Sequence, residues 1–292
     1  MKTSELYTSA PVRSALGRTL RPGGLALTRR LLQLAPPAPG SRVLDAGCGR
    51  GETLGLLLES GARALGLDLH AGFLREACQD GRAVARADLK RLPVADKSLD
   101  LIVCECTWNL TDKEGVLAEF FRTLRSGGTL ALADIYTRGY RSGEWPLRCC
   151  FEQATDLQTV LEQVACAGFE IDVVEDHTAM LKKTAADFVF RHGSLFGFWQ
   201  AVTGDPGMDE EPVLVDQIEP VEGGGQLAAA QQHAGGGRVL QLLHASAQIA
   251  GDVVAVRPRE VRARRGHHVL RLRLQLDRPV AHRWRRLLLA AG

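Results

Sequence analysis

Short apolar segments alternate with amphipathic segments along the first 175 residues of the chain. Short apolar runs bounded by turn residues are typical of buried strands, whereas apolar residues at helical spacing are typical of helices. Strands that alternate with helices predict a doubly wound α/β fold, in which helices cover both faces of a mostly parallel sheet. The pattern predicts strands at 43–47, 64–68, 83–87, 100–104, 129–134 and 169–174, and helices at 25–34, 52–60, 71–79, 113–125 and 155–167.

The same pattern, with a change of composition near residue 200, divides the chain into three regions. Residues 1–40 form an N-terminal helical segment, residues 41–200 the α/β domain, and residues 201–292 a tail rich in Arg, Gly and Ala. Every Phe, Tyr, Cys and Lys precedes the tail, although a packed segment normally uses several aromatic residues. The tail is therefore predicted to be poorly packed or disordered. Two alternatives stay open, namely an arginine-rich arm that binds nucleic acid and a segment read out of frame from a GC-rich gene.

Charge, hydropathy and cysteine content indicate which partners and which cellular compartment to expect. The formal net charge is +2, so the whole chain shows no bias toward nucleic acid or an acidic surface. No stretch approaches the roughly 20 apolar residues that cross a bilayer, and the N-terminus lacks the apolar core of a signal peptide. Seven cysteines, several of them in predicted strands, favour a reducing compartment. The sequence predicts a cytoplasmic protein without a membrane partner and leaves the oligomeric state open.

A glycine-rich turn follows the first predicted strand, where residues 43–51 read VLDAGCGRG. Such a strand-to-helix turn lets backbone approach a ligand, and the helix N-terminus offers free N–H groups. A dinucleotide fold would have Gly or Ala at the place of Glu52, and this carboxylate would repel a pyrophosphate. Asp45 adds negative charge just before the turn. A ligand that carries an ammonium and a sulfonium fits better, which favours S-adenosylmethionine.

Two further acids follow later strands. Asp68 ends the apolar run 64–67, where a second strand would offer a carboxylate to ribose hydroxyls. Asp88 follows the third predicted strand and would lie near the edge of the adenine. Either acid alone is more often a loop residue or a helix cap. The glycine-rich turn followed in this order by Asp68 and Asp88 indicates a donor-binding site more specifically than any one of these features does.

The chain resembles the class I S-adenosylmethionine-dependent methyltransferases over roughly residues 25–200. The matching signatures are the glycine-rich turn and the segments GLD at 66–68, ADL at 87–89, LDLIV at 99–103 and LRSGGTL at 124–130. The resemblance implies a seven-stranded Rossmann-like sheet with S-adenosylmethionine as the cofactor. It also implies a set of donor-binding residues, which comprises Asp45, Gly47, Cys48, Gly49 and Gly51 around the methionine part, Asp68 and Leu69 at the ribose, Asp88 and Leu89 at the adenine, and Cys104 at the end of the fourth strand.

The acceptor is expected at the end of the fourth strand, where residues 104–110 read CECTWNL. This segment lacks the Asn/Asp-Pro-Pro-aromatic run that many base-methylating enzymes carry here. It resembles the arsenite methyltransferase branch, in which a cysteine at the place of Cys106 binds trivalent arsenic and another cysteine follows the fifth strand, as Cys149 and Cys150 do here. That branch also uses cysteines ahead of the glycine-rich turn, whereas this chain has none before Cys48. A group of small methyltransferases found beside selenium- and sulfur-handling genes carries a similar segment.

The sequence therefore predicts a methyltransferase for a small acceptor, either a soft atom (thiol, selenium or trivalent metalloid) or an oxygen or carbon of a small metabolite. A soft acceptor requires no strong base, whereas an oxygen or nitrogen acceptor would usually lose a proton. Two other functional classes are alternatives. One is a nicotinamide-dependent oxidoreductase, which the acidic turn disfavours, and the other is a non-catalytic cofactor-binding protein whose basic tail associates with RNA. No resident metal is predicted. Candidate bases, each expected to be structural in the first instance, are Glu105, Asp134, His177 and His192; Trp108 and Tyr136 would either wall the acceptor pocket or pack in the core.

Overall fold

The computed structural model describes residues 3–138, 149–151, 153–204 and 249–258. Nine α-helices, one short 3-10 helix and seven strands occupy these residues. The helices are α1 (Thr3–Thr8), α2 (Ala10–Leu16), α3 (Gly24–Leu34), α4 (Glu52–Glu59), α5 (Ala71–Gln79), α6 (Lys113–Thr123), α7 (Leu157–Cys166), α8 (Thr178–His192) and α9 (Leu195–Thr203), with the 3-10 helix at Trp108–Leu110. The strands are β1 (Arg42–Ala46), β2 (Arg63–Asp68), β3 (Val84–Arg86), β4 (Leu99–Glu105), β5 (Leu124–Thr137), β6 (Phe169–Asp176) and β7 (Ile249–Pro258).

All seven strands form one sheet in the order β3-β2-β1-β4-β5-β7-β6. β1 pairs in parallel with β2 on one side and with β4 on the other, while β7 runs antiparallel between β5 and β6. The α/β fold with a mostly parallel seven-stranded sheet is confirmed. The strand order reverses between β1 and β4, and ligands of such sheets bind beside the carboxyl ends of the strands at this point.

One prediction about the tail is wrong. Residues Ile249–Pro258, placed by the sequence pattern outside the fold, form a strand that pairs with β5 and β6 along its length. The apolar stretch of this strand is short, and the surrounding Arg- and Gly-rich composition obscures it. Residues 201–203 likewise complete α9. Residues 205–248 and 259–292 lie outside the described residues, and the interpretations of that part of the tail stay predictions.

Apolar side chains bury both faces of the sheet. One cluster joins β4 and β5 to α6 and α7 around Trp108 and Phe120, and another joins β1 and β4 to α3 and α4 around Leu31 and Leu57. A third cluster packs α1 and α2 against α9 and Cys149, so the N-terminal helical segment is part of the fold. Among the described helices, none combines the length and the apolar character needed to span a membrane.

Candidate functional site

The glycine-rich turn lies at the carboxyl end of β1 and leads into α4. Gly47 has φ +80°, and a β-carbon there would lie 2.2 Å from Oγ1 of Thr107, so only glycine fits. The backbone N–H groups of Gly47 and Cys48 donate to the carbonyl oxygen of Leu67 at 2.8 and 3.0 Å, which ties the turn to β2. Gly51, with φ +78°, is the N-cap of α4. These contacts hold the turn in one conformation beside the switch point of the sheet.

Asp68 lies against this turn, as the sequence predicted. Its carboxylate accepts hydrogen bonds from the backbone N–H of Gly49 (2.9 Å) and of His70 (2.8 Å). Lone pairs remain on both oxygens of this half-buried side chain for hydroxyl donors. Leu69 beside it is 58% exposed, which is unusual for a large apolar side chain and suits a flat apolar ligand.

The remaining predicted contacts divide into exposed and buried residues. Asp88 is exposed and accepts from the backbone N–H of Lys90, whereas Leu89 is buried. The thiols of Cys48 and Cys104 lie in the two apolar cores, and Cys104 is fully buried. Any contact of these two cysteines with a ligand would therefore be through backbone atoms.

A buried ion pair lies next to the turn. Glu105, at the end of β4, accepts hydrogen bonds from Thr28 Oγ1 (3.0 and 3.3 Å) and Thr53 Oγ1 (2.8 Å). Arg21 Nη2 lies 2.9 Å from Oε2 of Glu105 and 3.0 Å from Thr53 Oγ1. The pair thus joins the N-terminal segment, α3, α4 and β4 at one place. Glu105 was a candidate base on sequence grounds. Here Arg21 balances its charge, and the hydrogen bonds from Thr28 and Thr53 hold its side chain in place.

Asp45 is buried beside this ion pair. Burial, followed by repulsion from Glu105, raises the pKa of Asp45 to about 8, while Arg21 opposes the rise and Asp68 adds to it. Its Oδ2 atom is buried and has no hydrogen-bond partner. One oxygen of this acid is therefore buried without a hydrogen-bond donor, although the charge of Arg21 acts on it.

The cysteines predicted to contact the acceptor lie near one another and near Tyr7. The backbone N–H of Cys150 donates to the Tyr7 hydroxyl at 3.4 Å. Burial first, and then the charge of Cys150 and Cys149, raises the pKa of Tyr7, and Cys106 contributes as well. Burial first, and then Asp134, raises the pKa of Cys106. The structure therefore brings Cys106, Cys149 and Cys150 into one neighbourhood that α1 covers.

Cys106 has a strained backbone. Its φ is +49°, a left-handed conformation that costs a side-chain-bearing residue about 1–2 kcal/mol. Its N–H donates to the carbonyl oxygen of Ala133 at 2.7 Å, which fixes this conformation. Within the described residues, no three His, Cys, Asp or Glu side chains are grouped so as to hold a metal ion.

Asp134, at the end of the parallel part of β5, acts electrostatically on Cys106 and Cys150. It accepts hydrogen bonds from the backbone N–H of Asn109 (3.0 Å) and of Ile135 (2.8 Å) and from Asn109 Nδ2 (2.9 Å). Burial raises the pKa of Asp134 to about 6 against the effect of these hydrogen bonds. A cavity of about 20 Å³ between Asp134, Trp108 and Tyr136 has room for about one water molecule. Trp108 and Tyr136 are packed in the core and do not wall a pocket of acceptor size there.

The two candidate histidines lie in structural contacts. His177 Nε2 is 3.2 Å from Glu175, which also pairs with Arg30, and the His192 ring packs edge-on against Phe198. These contacts agree with the structural interpretation of both residues.

Comparison with known proteins matches the central part of the chain. A family model described as "Methyltransferase domain" matches residues 44–132. The malonyl-[acyl-carrier protein] O-methyltransferase of Hamiltonella defensa is 38% identical over 113 residues, which cover 36% of this chain and 42% of that protein. The demethylmenaquinone methyltransferase of Corynebacterium urealyticum is 37% identical over 111 residues, 38% of this chain and 47% of that protein. Residues 44–132 therefore match a methyltransferase domain, in agreement with the class I S-adenosylmethionine-dependent resemblance.

Solved structures agree on the fold of this methyltransferase domain. Phosphoethanolamine N-methyltransferase 2 of Haemonchus contortus has a TM-score of 0.62 at 16% identity and covers 86% of this chain and 56% of that chain. The [4+2]-cyclase SpnF has a TM-score of 0.58 at 18% identity and covers 80% of each chain. One of these two proteins is named as a cyclase and the other as a methyltransferase, so the fold alone does not decide the reaction. The chain spans less than half the length of the curated relatives it matches.

The methyltransferase domain therefore confirms the class I resemblance, while the arsenite branch stays a prediction. The sequence reasoning missed Arg21, Thr28, Thr53 and Tyr7, all of which reach the site. Three of them come from the N-terminal segment and α3, and nothing in a single sequence indicates that an arginine before Pro22 is buried. The Arg-Pro-Gly-Gly run at 21–24 is the one local signal, since it marks a fixed chain reversal ahead of α3.

Asp45→Asn is expected to stabilise the ligand-free methyltransferase domain, increasingly so as the pH rises. The pKa of Asp45 is about 8 in the folded protein and ordinary when unfolded, so the folded state binds more protons between about pH 4 and 8. Stability of the wild type is therefore lost as the pH rises through this window, and Asn removes that loss. We expect a gain of several kcal/mol, up to about 5 kcal/mol, at pH 8 and little at pH 4 in urea unfolding. The exposed Asp187→Asn on α8 is the control, and a gain in Asp45→Asn that is independent of pH would contradict the assignment.

Proposed function

We propose that this chain transfers a methyl group from S-adenosylmethionine to a small acceptor. The observation that carries the proposal is the pairing of the glycine-rich turn with two acids, Asp45 and Asp68, at the point where the strand order reverses. A ligand with a cationic amino-acid end and a ribose meets both acids there, whereas a pyrophosphate would meet repulsion from Asp45 and Glu52.

The residues around the turn fit such a donor. The unpartnered buried Oδ2 of Asp45 suits an ammonium group, and the Asp68 carboxylate suits the two ribose hydroxyls. Exposed Leu69 offers an apolar surface to the adenine, and Asp88 would lie at its edge. S-adenosylmethionine supplies an electrophilic methyl carbon on a sulfonium. The protein's part is to hold the donor and the acceptor in line, which can supply about 7–11 kcal/mol of the barrier.

Isothermal titration with S-adenosylmethionine and S-adenosylhomocysteine tests the donor. We expect both to bind in the micromolar range, and Asp68→Ala to weaken both by at least tenfold, because a hydrogen bond to a charged group is worth about 1.5–3 kcal/mol. Absence of binding at high micromolar donor would refute the proposal. Glu59→Ala, at an exposed residue near the end of α4, is the matched control and is expected to bind as the wild type does.

For the acceptor, a soft atom is the first candidate. Cys106 keeps a strained backbone, and such strain tends to persist where it serves a function. Thiols are polarizable, so Cys106, Cys149 and Cys150 would favour a thiol, a selenol or a trivalent metalloid over a harder oxygen. Because burial raises the pKa of Cys106 and Cys150, these thiols are protonated at rest and would have to release protons to ligate a metalloid.

An oxygen acceptor is the second candidate, favoured by the names of the relatives, which include O-methyltransferases. A hydroxyl would have to lose its proton, and Asp134 is the candidate base that would receive it. With a pKa of about 6 this carboxylate is mainly ionised at neutral pH, and it lies near enough to Cys106 and Cys150 to raise the pKa of both thiols.

An acceptor panel with cysteine variants separates these candidates. We expect arsenite, selenide or a small thiol to be methylated faster than phenols or carboxylic acids, and Cys106→Ser to reduce that turnover at least tenfold without changing donor affinity. Exposed Cys166→Ser on α7 is the matched control and is expected to keep full activity. Since glycine relieves the strain at residue 106, Cys106→Gly should remain folded while it loses turnover. Turnover of Cys106→Ser equal to that of the wild type on every acceptor would exclude the soft-atom candidate, and preference for phenols or carboxylic acids would favour the oxygen candidate.

A further inference from the structure

One side chain, that of Asn109, fastens the segment after β4 to the end of β5. Its Nδ2 donates to Oδ1 of Asp134 at 2.9 Å and to the carbonyl oxygen of Ile135 at 2.6 Å. Its backbone N–H donates to Oδ2 of Asp134 at 3.0 Å. Both partners of the amide are acceptors, and Asn109 is 1% exposed. A side chain that has no hydrogen-bond donor therefore cannot replace this buried contact.

The position of this contact requires the chain to turn sharply after β4. Glu105 is paired in register with Ala133, and Asn109 is held one and two residues farther along β5. The chain from Glu105 to Asn109 would advance about 13 Å if it were extended, whereas one or two residues of β5 advance about 3–7 Å. Cys106, with φ +49°, and the 3-10 helix that follows it take up the excess. The left-handed backbone of Cys106 is therefore the first step of a turn that Asn109 closes.

The arrangement carries two costs that a simple connection would avoid. Glycine would adopt the left-handed conformation of Cys106 without strain, yet the chain has a cysteine there. Oδ1 of Asn109 is buried without a hydrogen-bond partner, which is rare in native proteins. Such costs tend to persist at functional sites. The strained residue is also the one that acts electrostatically on Cys150 in the proposed acceptor neighbourhood.

We propose that Asn109 is a positioning residue for the acceptor site: its amide contacts with Asp134 and Ile135 keep Cys106 in the left-handed conformation that presents the thiol to the acceptor. The inference rests on the proposed function, in which Cys106 contacts the acceptor. Asn109 itself touches neither the donor nor the acceptor in this assignment, and it acts only through the conformation of Cys106.

Asn109→Asp tests the contact with a side chain of the same shape. An ionised carboxylate cannot donate to Asp134 and repels it, so we expect the urea midpoint to lie about 1 M below that of the wild type at pH 8. At pH 5 one of the two carboxyls stays protonated in the folded protein, and its O–H donates to the other. The folded state then binds one proton more than the unfolded state, so at least about half of the deficit should disappear.

The comparison is made with the wild type at the same pH, because Asp134 titrates there too, with a pKa that burial raises to about 6. The groups around Asp134 are the same in both proteins; they are Lys113 of α6, Cys104 of β4, Cys106, Cys150, and Asp252, its register partner on β7. Gln158→Glu on α7, where an exposed amide donates to Glu162, is the matched control. It should stay within about 0.3 M of the wild type at both pH values.

Coupling between residues 106 and 109 tests the positioning role itself. In Asn109→Ala the turn is released, so Cys106 can leave its strained conformation, and this relief offsets part of the loss. Glycine at residue 106 has no strain to relieve. We therefore expect Asn109→Ala to lower the urea midpoint by about 0.5 M more in the Cys106→Gly background than in the wild type. Equal losses in the two backgrounds would mean that Asn109 does not hold Cys106, and the proposal would be wrong.

Turnover distinguishes positioning from support of the fold. With arsenite or a small thiol as the acceptor probe, we expect Asn109→Asp with native circular dichroism to lose about tenfold or more in kcat at pH 8, because a small misplacement can cost 10²-fold. Affinity for S-adenosylhomocysteine should change by less than about threefold. An unchanged kcat, or an equal loss of kcat and donor affinity, would overturn the assignment.

Failure of the proposed function gives a different result. If the wild type binds S-adenosylhomocysteine but methylates neither probe, the soft-atom candidate fails, and the coupling alone decides whether Asn109 holds Cys106. If the wild type does not bind S-adenosylhomocysteine, the proposed donor fails. Should Asn109→Asp be unfolded at pH 8, Asn109→Ser replaces it in the turnover assay, since its hydroxyl can donate to one of the two acceptors, and the same loss of kcat is expected.

Discussion

Glu105→Ala is expected to destabilise the protein by about 3 kcal/mol, because removal of one partner of a buried ion pair leaves the other charge buried without compensation. Arg21 would keep Thr53 and Thr28 as partners, but neither carries a charge. Asp45 would respond as well: loss of the repulsion from Glu105 lowers the pKa of Asp45 and lets it ionise toward Arg21. This response limits the loss of stability to the lower end of the range seen for buried pairs.

Urea unfolding of Glu105→Ala and of a double variant without either charge measures this effect. Replacing both charges with apolar residues of similar size, in Arg21→Met with Glu105→Leu, should restore most of the stability, since the cost lies in the unpaired charge and not in loss of the pair. Lys90→Ala, which breaks an exposed pair with Asp112, is the control and should change stability by less than about 1 kcal/mol. A double variant as unstable as Glu105→Ala would mean that the pair itself stabilises the fold.

The sequence pattern predicted the central part of the fold for a physical reason. β1, β2, β4, β5 and β6 contain apolar runs bounded by turn residues, and the helices between them repeat apolar positions at helical spacing, so local pattern and buried face agree. β3 is shorter and largely exposed, with only three residues. β7 is different, because its apolar residues lie in a stretch of Arg- and Gly-rich composition and its pairing partners, β5 and β6, end more than 70 residues earlier. No local signal records pairing across such a distance.

The sequence predicted the part of the candidate site that lies around the glycine-rich turn. Asp45, Gly47 and Asp68 lie in motifs whose spacing reflects the strand-turn-helix geometry, and the structure brings them together at one edge of the sheet. The sequence did not predict the roles of Arg21 and Tyr7, because these residues lie at the site only through the packing of the N-terminal segment on α4, α5 and α9. Their positions depend on tertiary contacts, among them the pairs of Arg18 with Glu52 and Asp80.

The N-terminal segment therefore connects both halves of the proposed reaction. Tyr7 contacts Cys150 at the proposed acceptor pocket, and Arg21 contacts Glu105 beside the proposed donor site. The matched stretch 44–132 contains neither residue. Relatives that share only this stretch are expected to share the donor and to differ in the acceptor, because the residues that cover the acceptor lie outside it.

Gly47→Ala is expected to cost about 3 kcal/mol of stability and to weaken S-adenosylhomocysteine binding by more than tenfold. The left-handed φ of +80° costs alanine about 1–2 kcal/mol, and a methyl group 2.2 Å from Thr107 Oγ1 adds an overpacking cost of about 1–3 kcal/mol. Gly40→Ala is a matched control, since Gly40 has φ +77° with no atom within 4 Å and precedes β1 at its other end. It should cost only about 1 kcal/mol and leave donor affinity unchanged. Thr107→Gly is made in both the wild-type and the Gly47→Ala backgrounds, because its lost hydrogen bond to the Glu105 carbonyl oxygen and its added backbone freedom are common to both. The cost of Gly47→Ala measured by thermal unfolding should then fall by about half when residue 107 is glycine. An unchanged cost would mean that backbone strain at the turn, and not the contact with Thr107, requires glycine at residue 47.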